Sequence, residues 1–513
     1  MRGHSLWLRS RAVPATTLLL FAATAVSRLP FTSRTLYAWD SANFALALQQ
    51  YNVVFHQPHP PGYPLYVGMA KLLDLWIHDA NTSLVAISII ASAGAVALLF
   101  PLASRMYGAW VGFASAILLG ASVGFWGYGE VAYPYTCLAF FGVLLAWLCY
   151  LMWQGCGWLP VLSGLALAIA AGFRPDILLF LGPLWLASIW RFGLRRTLLS
   201  ALVLGLGIAS WLLPAAWMSG GLGAYLQANS AQSDYILSTY SVFFAGLQGL
   251  RNNTETLLLF VKQMFGLTLV VTVYFSGRFL TFKALVADRR LLFLVLWLTP
   301  PLLVYLLVHI GDPGYILSLL PALCIVTAVG IRDIVNDLAS ALVLIAARYR
   351  RLGRLAGMAG RHMAVVAALM VLALVAWNTN AFLETPGPAR LPEIRTIDAI
   401  VTAQTGYIRQ FRPESVVVLA KARFRQFKYY LPEYNIRLLY DEYQNGYTEV
   451  TNSYKIPEGV NTVLVMDFGK RPASLPERSQ VTLPGPSGQQ ITLWRFEVKP
   501  GDTIRYGYDF APR

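Results

Sequence analysis

Charge is scarce in this sequence. Asp, Glu, Lys and Arg make up 13% of its 513 residues, against roughly 25% in soluble domains. Hydrophobic residues make up 57%, and the mean hydropathy is +0.54. That balance excludes an ordinary cytosolic enzyme and a disordered chain, and makes lipid the solvent for most of the molecule. Acids are the scarcer sign, 25 against 40 bases, for a formal charge of +15. The cations fall between apolar runs and in the last quarter of the chain, so membrane topology explains them better than a nucleic-acid partner does. Cysteine is almost missing. Cys137, Cys149, Cys156 and Cys324 lie in or beside apolar stretches, no Cys-x-x-Cys occurs, and the hydrophilic C-terminal region has none, so that region forms no disulfide. No GxxxxGK[ST] loop is present, which argues against an ATP-driven pump. The acidic pair DxD of metal–nucleotide sites and the zinc motif HExxH are absent as well.

What the chain does have is apolar runs. They predict helices over 13–30, 83–103, 109–126, 132–152, 158–172, 175–190, 197–217, 256–276, 291–309, 314–334 and 363–382, about eleven spans. The first reads as an uncleaved helix, not as a signal peptide, because its apolar part is long. Residues 158–172 and 175–190 are short for spans and are read as two helices on either side of Gly172-Phe173-Arg174-Pro175. Segment 63–78 is apolar, but Lys71, Asp74 and His78 fall on one helical face. At about 24 Å it is too short to cross and reads as an interfacial helix.

With the N-terminus in the cytoplasm, the inside loops carry seventeen cations: Arg2, Arg9, Arg11, Arg105, Arg191, Arg195, Arg196, Arg278, Lys283, Arg289, Arg290, Arg332, Arg348, Arg350, Arg351, Arg354 and Arg361. The outer membrane loops carry five: Arg28, Arg34, Lys71, Arg174 and Arg251. This split sets the orientation. Eight of the eleven acids before residue 383 fall outside: Asp40, Asp74, Asp79, Glu130, Asp176, Asp234, Glu255 and Asp312. Carboxylates at membrane depth are costly and usually face a cavity. The chain divides into a membrane domain, 1–382, with a first outer loop at 31–82, and a small extracytoplasmic α/β domain, 383–513. In the latter, 393–411 reads as an amphipathic helix, and 415–420 and 461–466 read as short buried strands.

The first outer loop is the most informative stretch. It holds Trp39-Asp40-Ser41, then His56-Gln57-Pro58-His59-Pro60-Pro61-Gly62-Tyr63-Pro64-Leu65-Tyr66. Asp40 precedes a helix-like run, 41–50, where an ordinary N-cap would also account for it. Four prolines within 58–64 hold the loop in one shape.

Together these pieces resemble the polyprenyl-phosphate-sugar glycosyltransferases of the GT-C superfamily, within them the family 39-like, protein-mannosyltransferase-like group. The resemblance continues at Tyr128-Gly129-Glu130-Val131-Ala132-Tyr133, at Gly172-Phe173-Arg174-Pro175-Asp176 and at His309-Ile310-Gly311-Asp312-Pro313-Gly314-Tyr315. It covers most of 1–382 and implies a polytopic α-helical GT-C-like fold. It implies a membrane transferase of the cell envelope that moves a sugar from a polyprenyl-phosphate donor to an extracytoplasmic glycan, lipid or protein acceptor. The first-loop acid, here Asp40, is then the catalytic residue.

The residue types fit that chemistry. A carboxylate serves as base for an acceptor hydroxyl, and a guanidinium matches a phosphate. Arg174 is the candidate for the donor phosphate. His59, Glu130, Asp176, Asp312 and Tyr315 are further substrate-binding candidates, with His56 behind them. Tyr225, Tyr235 and Tyr240, in loop 218–255, are candidates to wall a lipid groove. A divalent metal at Asp40 with Glu130 or His59 is conceivable, but the ligands are too few to claim one. The rival is a transporter or flippase of lipid-linked sugars, for which inverted repeats and broken helices are expected; no repeat is visible. A third reading, a partner-binding C-terminal module on a membrane anchor, leaves eleven spans unexplained.

Overall fold

The structure is a computed structural model that describes residues 12–279, 288–348, 353–439, 450–451, 453–466, 479–505 and 510–511. Arg2, Arg9, Arg11, Lys283, Arg350 and Arg351, counted above for orientation, lie outside the described residues.

Helix α1 (Ala12–Arg28) is the first apolar run. The loop after it folds into α2 (Trp39–Gln49) and α3 (Pro64–Ile77). Pro64 sits in the first turn of α3, where its missing N–H is not needed. With 14 residues, α3 is about 21 Å long. It buries Tyr66, Val67 and Ala70 and exposes Leu72, Leu75 and Trp76, the division expected of an interfacial helix.

Asp79 caps α4 (Ala80–Tyr107), its carboxylate accepting the Thr82 N–H at 2.7 Å. This helix is the centre of the bundle, with 83% of its apolar stretch buried, against 22% for α1. The run 109–126, predicted as one span, is divided into α5 (Ala109–Gly120) and α6 (Val123–Tyr128). Ser122 turns extended at ψ 132°, its hydroxyl takes the Leu118 carbonyl, and Arg28 Nη2 takes the Gly120 carbonyl at 2.6 Å. The carbonyls left at the helix end are thereby satisfied.

Helices α7 (Tyr135–Trp153), α8 (Leu159–Phe173), α9 (Ile177–Ile189) and α10 (Leu194–Met218) follow the predicted runs closely. A turn at 174–176 separates α8 from α9. Leu198, Leu202, Leu206 and Leu213 are exposed along one face of α10, a lipid-facing stripe. The segment read as loop 218–255 is helical instead: α11 (Leu222–Tyr240) and the first half of α12 (Val242–Phe265). The predicted run 256–276 is broken at Gly266, where φ is +57° and an added Cβ would lie 2.8 Å from Asn378 Oδ1. The chain resumes as α13 (Thr268–Phe279), α14 (Arg289–Leu307), α15 (Leu320–Arg348) and α16 (Gly353–Glu384). Helix α15 starts later than predicted because 313–318 form a 3₁₀ turn capped by Asp312. Among the described residues, six helices are long and apolar enough to cross a membrane, which makes this a multi-pass membrane protein.

Helix α17 (Leu391–Ile408) leads into a sheet domain. Its elements are β1 (Val416–Leu419), α18 (Phe424–Tyr430), β2 (Asn435–Leu439), β3 (Val450–Thr451), β4 (Ser453–Lys455), β5 (Thr462–Val465), β6 (Gln480–Pro484), β7 (Gln490–Glu497), β8 (Thr503–Arg505) and β9 (Phe510–Ala511). One sheet runs β3-β2-β1-β5-β7-β6 and a second runs β4-β8-β9. The two strands read from the sequence, β1 and β5, lie side by side in parallel, from Val416 opposite Thr462 to Leu419 opposite Val465. Both are buried throughout, as continuous apolar runs require.

The sheet domain sits on the 31–82 loop. Asp398 accepts the N–H groups of Arg34 and Thr35, each at 2.9 Å, and Tyr430 accepts that of Leu36 at 2.8 Å. Tyr37 accepts the N–H of Ala389 at 2.9 Å, and the Trp39 ring packs 5.8 Å from that of Phe424.

Candidate functional site

Asp40 is not the cap of its helix. The N-cap position is Ala38, whose N–H is taken by the Ser41 hydroxyl at 3.3 Å, and Asp40 is the second helical residue. Its charge is favoured by the N-terminal end of the helix dipole, yet no backbone N–H engages its carboxylate. That side chain is 36% exposed and faces His59, with Nδ1 3.4 Å from Oδ1. The contact lies in ion-pair range without hydrogen-bond alignment. The Asn43 amide Nδ2 approaches the same Oδ1 at 3.5 Å. His59 Nε2 meets the Tyr63 hydroxyl at 3.3 Å. Burial pushes the His59 ring below the usual histidine range, helped by Arg174 and Arg425 and opposed by Asp40.

The rigid loop between α2 and α3 is fixed from both sides. Tyr51 donates to the Gly62 carbonyl at 3.0 Å, and Tyr225 of α11 donates to the Pro61 carbonyl at 2.6 Å. Gly62 is at φ +103°, and an added Cβ would lie 2.4 Å from the Tyr51 hydroxyl. No other residue fits there without strain.

This loop, the 174–176 turn, α11 and the segment before α15 enclose a cavity of about 580 Å³. Asp40, His56, His59, Asp176, Asp312 and Tyr315 all line it. The candidate acids from three separate loops are therefore brought together, with two exceptions among the predicted set. Glu130 does not line the cavity. It is fully buried in the turn between α6 and α7, both its carboxylate oxygens lack a hydrogen-bond partner, and burial pushes its carboxyl up, with Arg28 as the main opposing charge. Arg174 is also set back. It is 2% exposed, holds Asp176 in a two-pronged pair at 3.1 and 2.6 Å, and its guanidinium carbon lies 5.6, 4.6 and 5.2 Å from the rings of Tyr63, Tyr135 and Tyr315. A guanidinium boxed in this way acts on the cavity through its field and through Asp176.

Asp312 carries two structural duties as well as lining the cavity. It accepts the Gly314 N–H at 2.7 Å and a short bond from the Tyr128 hydroxyl. Burial nonetheless pushes its carboxyl up. Tyr315 receives the Tyr305 hydroxyl on its carbonyl at 2.8 Å. For the conceivable divalent metal, the Asp40–His59 pair stands without Glu130, and among the described residues no three His, Cys, Asp or Glu converge closely enough to hold an ion.

The sequence pointed to Asp40, His56, His59, Asp176, Asp312 and Tyr315, and on the opposite wall to Tyr235 and Tyr240 alone. That wall is built by Asn229, Gln232, Ser233, Tyr235, Ile236 and Tyr240 of α11, with His309. Side-chain amides, a hydroxyl and aromatic rings are the groups that bind sugar hydroxyls and ring faces. Tyr235 and Tyr240 were noted as possible walls of a lipid groove; the amides were not, because neutral polar residues in an aromatic stretch carry no signal of their own.

No family model matches the chain, and no curated protein matches it. Solved structures do. ArnT from Cupriavidus metallidurans bound to undecaprenyl phosphate is similar at TM-score 0.60 and 12% identity, over 93% of this chain and 97% of that one. The apo state of the same protein gives 0.58 at 12% identity, over 94% and 98%. The Archaeoglobus fulgidus oligosaccharyltransferase, at TM-score 0.47 and 12% identity, over 89% of this chain and 69% of that one, is a weaker likeness and adds nothing to it. At such identities the likeness establishes architecture alone: this chain shares the fold of ArnT over nearly its whole length.

Proposed function

We propose that this chain is a membrane glycosyltransferase that moves a sugar from a polyprenyl-phosphate donor to a hydroxyl-bearing acceptor outside the cytoplasmic membrane, with Asp40 as general base. The observation that carries this reading is a partly exposed carboxylate that caps no helix, on the wall of a cavity whose opposite wall offers amides and aromatic rings. ArnT, which shares the fold, has been seen with undecaprenyl phosphate bound.

The chemistry balances without a cofactor. Asp40 takes the proton of the acceptor hydroxyl as its oxygen bonds to the anomeric carbon. The bond from that carbon to the phosphate oxygen breaks, and polyprenyl phosphate leaves with the electron pair. Direct attack from the face opposite the phosphate inverts the anomeric configuration. His59 stays neutral and keeps the carboxylate in place. Arg174 faces the leaving phosphate's charge from behind the Tyr63, Tyr135 and Tyr315 rings.

The test is release of undecaprenyl phosphate by the purified protein in lipid nanodiscs, given a panel of undecaprenyl-phosphate sugars and cell-envelope glycans. Turnover with at least one donor, lost in Asp40→Asn, is expected. Undecaprenyl phosphate that fails to bind, together with unchanged envelope lipids and glycans in cells lacking the protein, overturns the reading.

A further inference from the structure

Arg425 lies in α18 of the sheet domain and is 1% exposed. Its Nε donates to Asn43 Oδ1 at 2.5 Å, across a sequence separation of 382 residues. Its Nη2 donates to the carbonyls of His56 at 2.8 Å and Phe55 at 3.4 Å. A guanidinium has only donors to offer. The Asn43 amide must therefore turn its oxygen toward Arg425, which leaves its NH₂ for the other side, where Nδ2 stands 3.5 Å from Asp40 Oδ1. The carbonyls at 55 and 56 belong to the turn that leads into His59, and His59 Nδ1 stands 3.4 Å from the same Oδ1. One buried cation of the sheet domain thus bonds both Asn43, one neighbour of that carboxylate oxygen, and the turn leading to His59, the other; in the proposed reaction the acceptor takes the second oxygen, Oδ2.

We propose that Arg425 is a positioning residue for the Asp40 base: it fixes the Asn43 amide and the 55–56 turn, so that the membrane site is completed by the sheet domain. This rests on the glycosyltransferase reading of Asp40. It also gives the sheet domain a duty in the reaction. The domain is docked independently of Arg425, through Asp398, Tyr430 and the Trp39–Phe424 ring contact. Removing the guanidinium alone therefore leaves the domain in place.

The experiment is a double-mutant cycle on Arg425→Gln and Asn43→Ala in nanodiscs, with Arg425→Lys as the conservative variant. The readouts are melting temperature and the kcat and KM for undecaprenyl phosphate release. Misplacing a reacting group costs roughly 10–100-fold in rate, so Arg425→Gln should lose about that much kcat, with KM within about threefold in a protein that still folds, though it melts lower because buried acceptors lose their donor. Asn43→Ala should lose a similar amount, and the double variant no more than the worse single one. Lysine, which reaches only one of the two partners, should restore part of the rate. Wild-type kcat in a folded Arg425→Gln protein, or losses that multiply in the double variant, overturns the relay. Should Arg425→Gln fail to fold, Asn43→Ala with full kcat overturns it alone. A structure of Arg425→Gln needs no donor: the Asp40–His59 separation should lengthen, and an unmoved pair counts against the proposal. An active Asp40→Asn protein sinks the base reading itself, whereas a dead Asp40→Asn beside a fully active Arg425→Gln sinks only this inference.

Discussion

The Asp40 carboxylate and the His59 ring stand 3.4 Å apart across the mouth of the cavity, on different elements, one at the start of α2 and one in the proline-rich turn before α3. A neutral imidazole has one N–H and one bare nitrogen. Burial keeps His59 neutral and the Tyr63 hydroxyl protonated. Either the phenol or the ring can be the donor between Tyr63 and Nε2, while Nδ1 faces Asp40 without an aligned hydrogen bond. On the proposed reading, His59 is the orienting group and Asp40 the member of the pair that accepts a proton.

Asp40→Asn keeps the shape of the side chain and removes its basicity. General base catalysis contributes about 10²–10⁴-fold, and a loss of that size in kcat, with unchanged melting temperature, is expected. Undecaprenyl phosphate release by the folded variant at near the wild-type rate would reduce Asp40 to a residue of the helix N-terminus.

His59 predicts a stability effect with a definite sign. Its proton affinity is lowered in the folded protein. As pH falls through the ordinary histidine value of about 6.5, the unfolded chain takes up the proton first, and folding stability falls. Above that value the contribution is complete. The melting temperature in detergent should therefore drop between pH 7 and pH 5 more steeply for the wild type than for His59→Gln. Parallel curves would mean that His59 is not held neutral by the fold.

Arg174 and Asp176 form a pair in which the arginine side chain is 3% exposed and the aspartate 23%. Removing one member of a buried pair costs roughly 3–5 kcal/mol, whereas replacing both with apolar residues of similar volume is often neutral. Asp176→Asn or Arg174→Met alone should therefore melt well below the wild type, and Arg174→Met/Asp176→Leu should recover much of the loss. All three are expected to impair transfer, because Asp176 lines the cavity. A single variant with unchanged melting temperature would show that the guanidinium is available to a phosphate after all.

Much of this was legible in the sequence, for physical reasons that also mark where it stopped. Apolar runs located the membrane helices because burial in lipid requires them. The breaks at Ser122 and Gly266 were not visible, since each depends on a distant partner: Arg28 on the Gly120 carbonyl, and Asn378 packed against Gly266. Asp40 and His59 stood out because prolines and aromatics surround them. Arg425 did not, as one of 17 cations in the last 131 residues with nothing nearby to distinguish it. Glu130 and Arg174 were read correctly as residues at the ends of helices, but their sequence neighbours gave no sign that one would be sealed away from the cavity and the other boxed by three tyrosines.

Gly62 tests whether the loop must be rigid. At φ +103°, with the Tyr51 hydroxyl 2.4 Å from an added Cβ, alanine faces both backbone strain of about 1–2 kcal/mol and a clash. Gly62→Ala should lower the melting temperature and reduce kcat through displacement of His59. Tyr51→Phe removes the nearer clash and one hydrogen bond but leaves Val53 Cγ2 at 2.8 Å from the added Cβ, so Tyr51→Phe/Gly62→Ala should recover only part of both. An alanine variant with wild-type stability would mean that the turn relaxes freely.

Orientation in the membrane is the last prediction, because every assignment above depends on it. The cavity gathers residues from the 31–82 loop, the 174–176 turn, α11 and the segment at 309–315, so all of these must open on one side. The sheet domain must lie on that same side, since Asp398, Tyr430 and Arg425 bond to the first outer loop. The charge split places the opposite ends, near Ala109 and Gly193, in the cytoplasm. Cys137, Cys149 and Cys324 are buried and Cys156 is partly exposed, so the background should lack all four. Single cysteines at the exposed positions Ala109 and Gly193 should then resist an impermeant thiol reagent in intact cells, while Gly223→Cys and Glu414→Cys should react. Labelling at Gly193 without labelling at Gly223 would turn the site toward the cytoplasm, where nucleotide sugars are available, and would remove the case for a polyprenyl-phosphate donor.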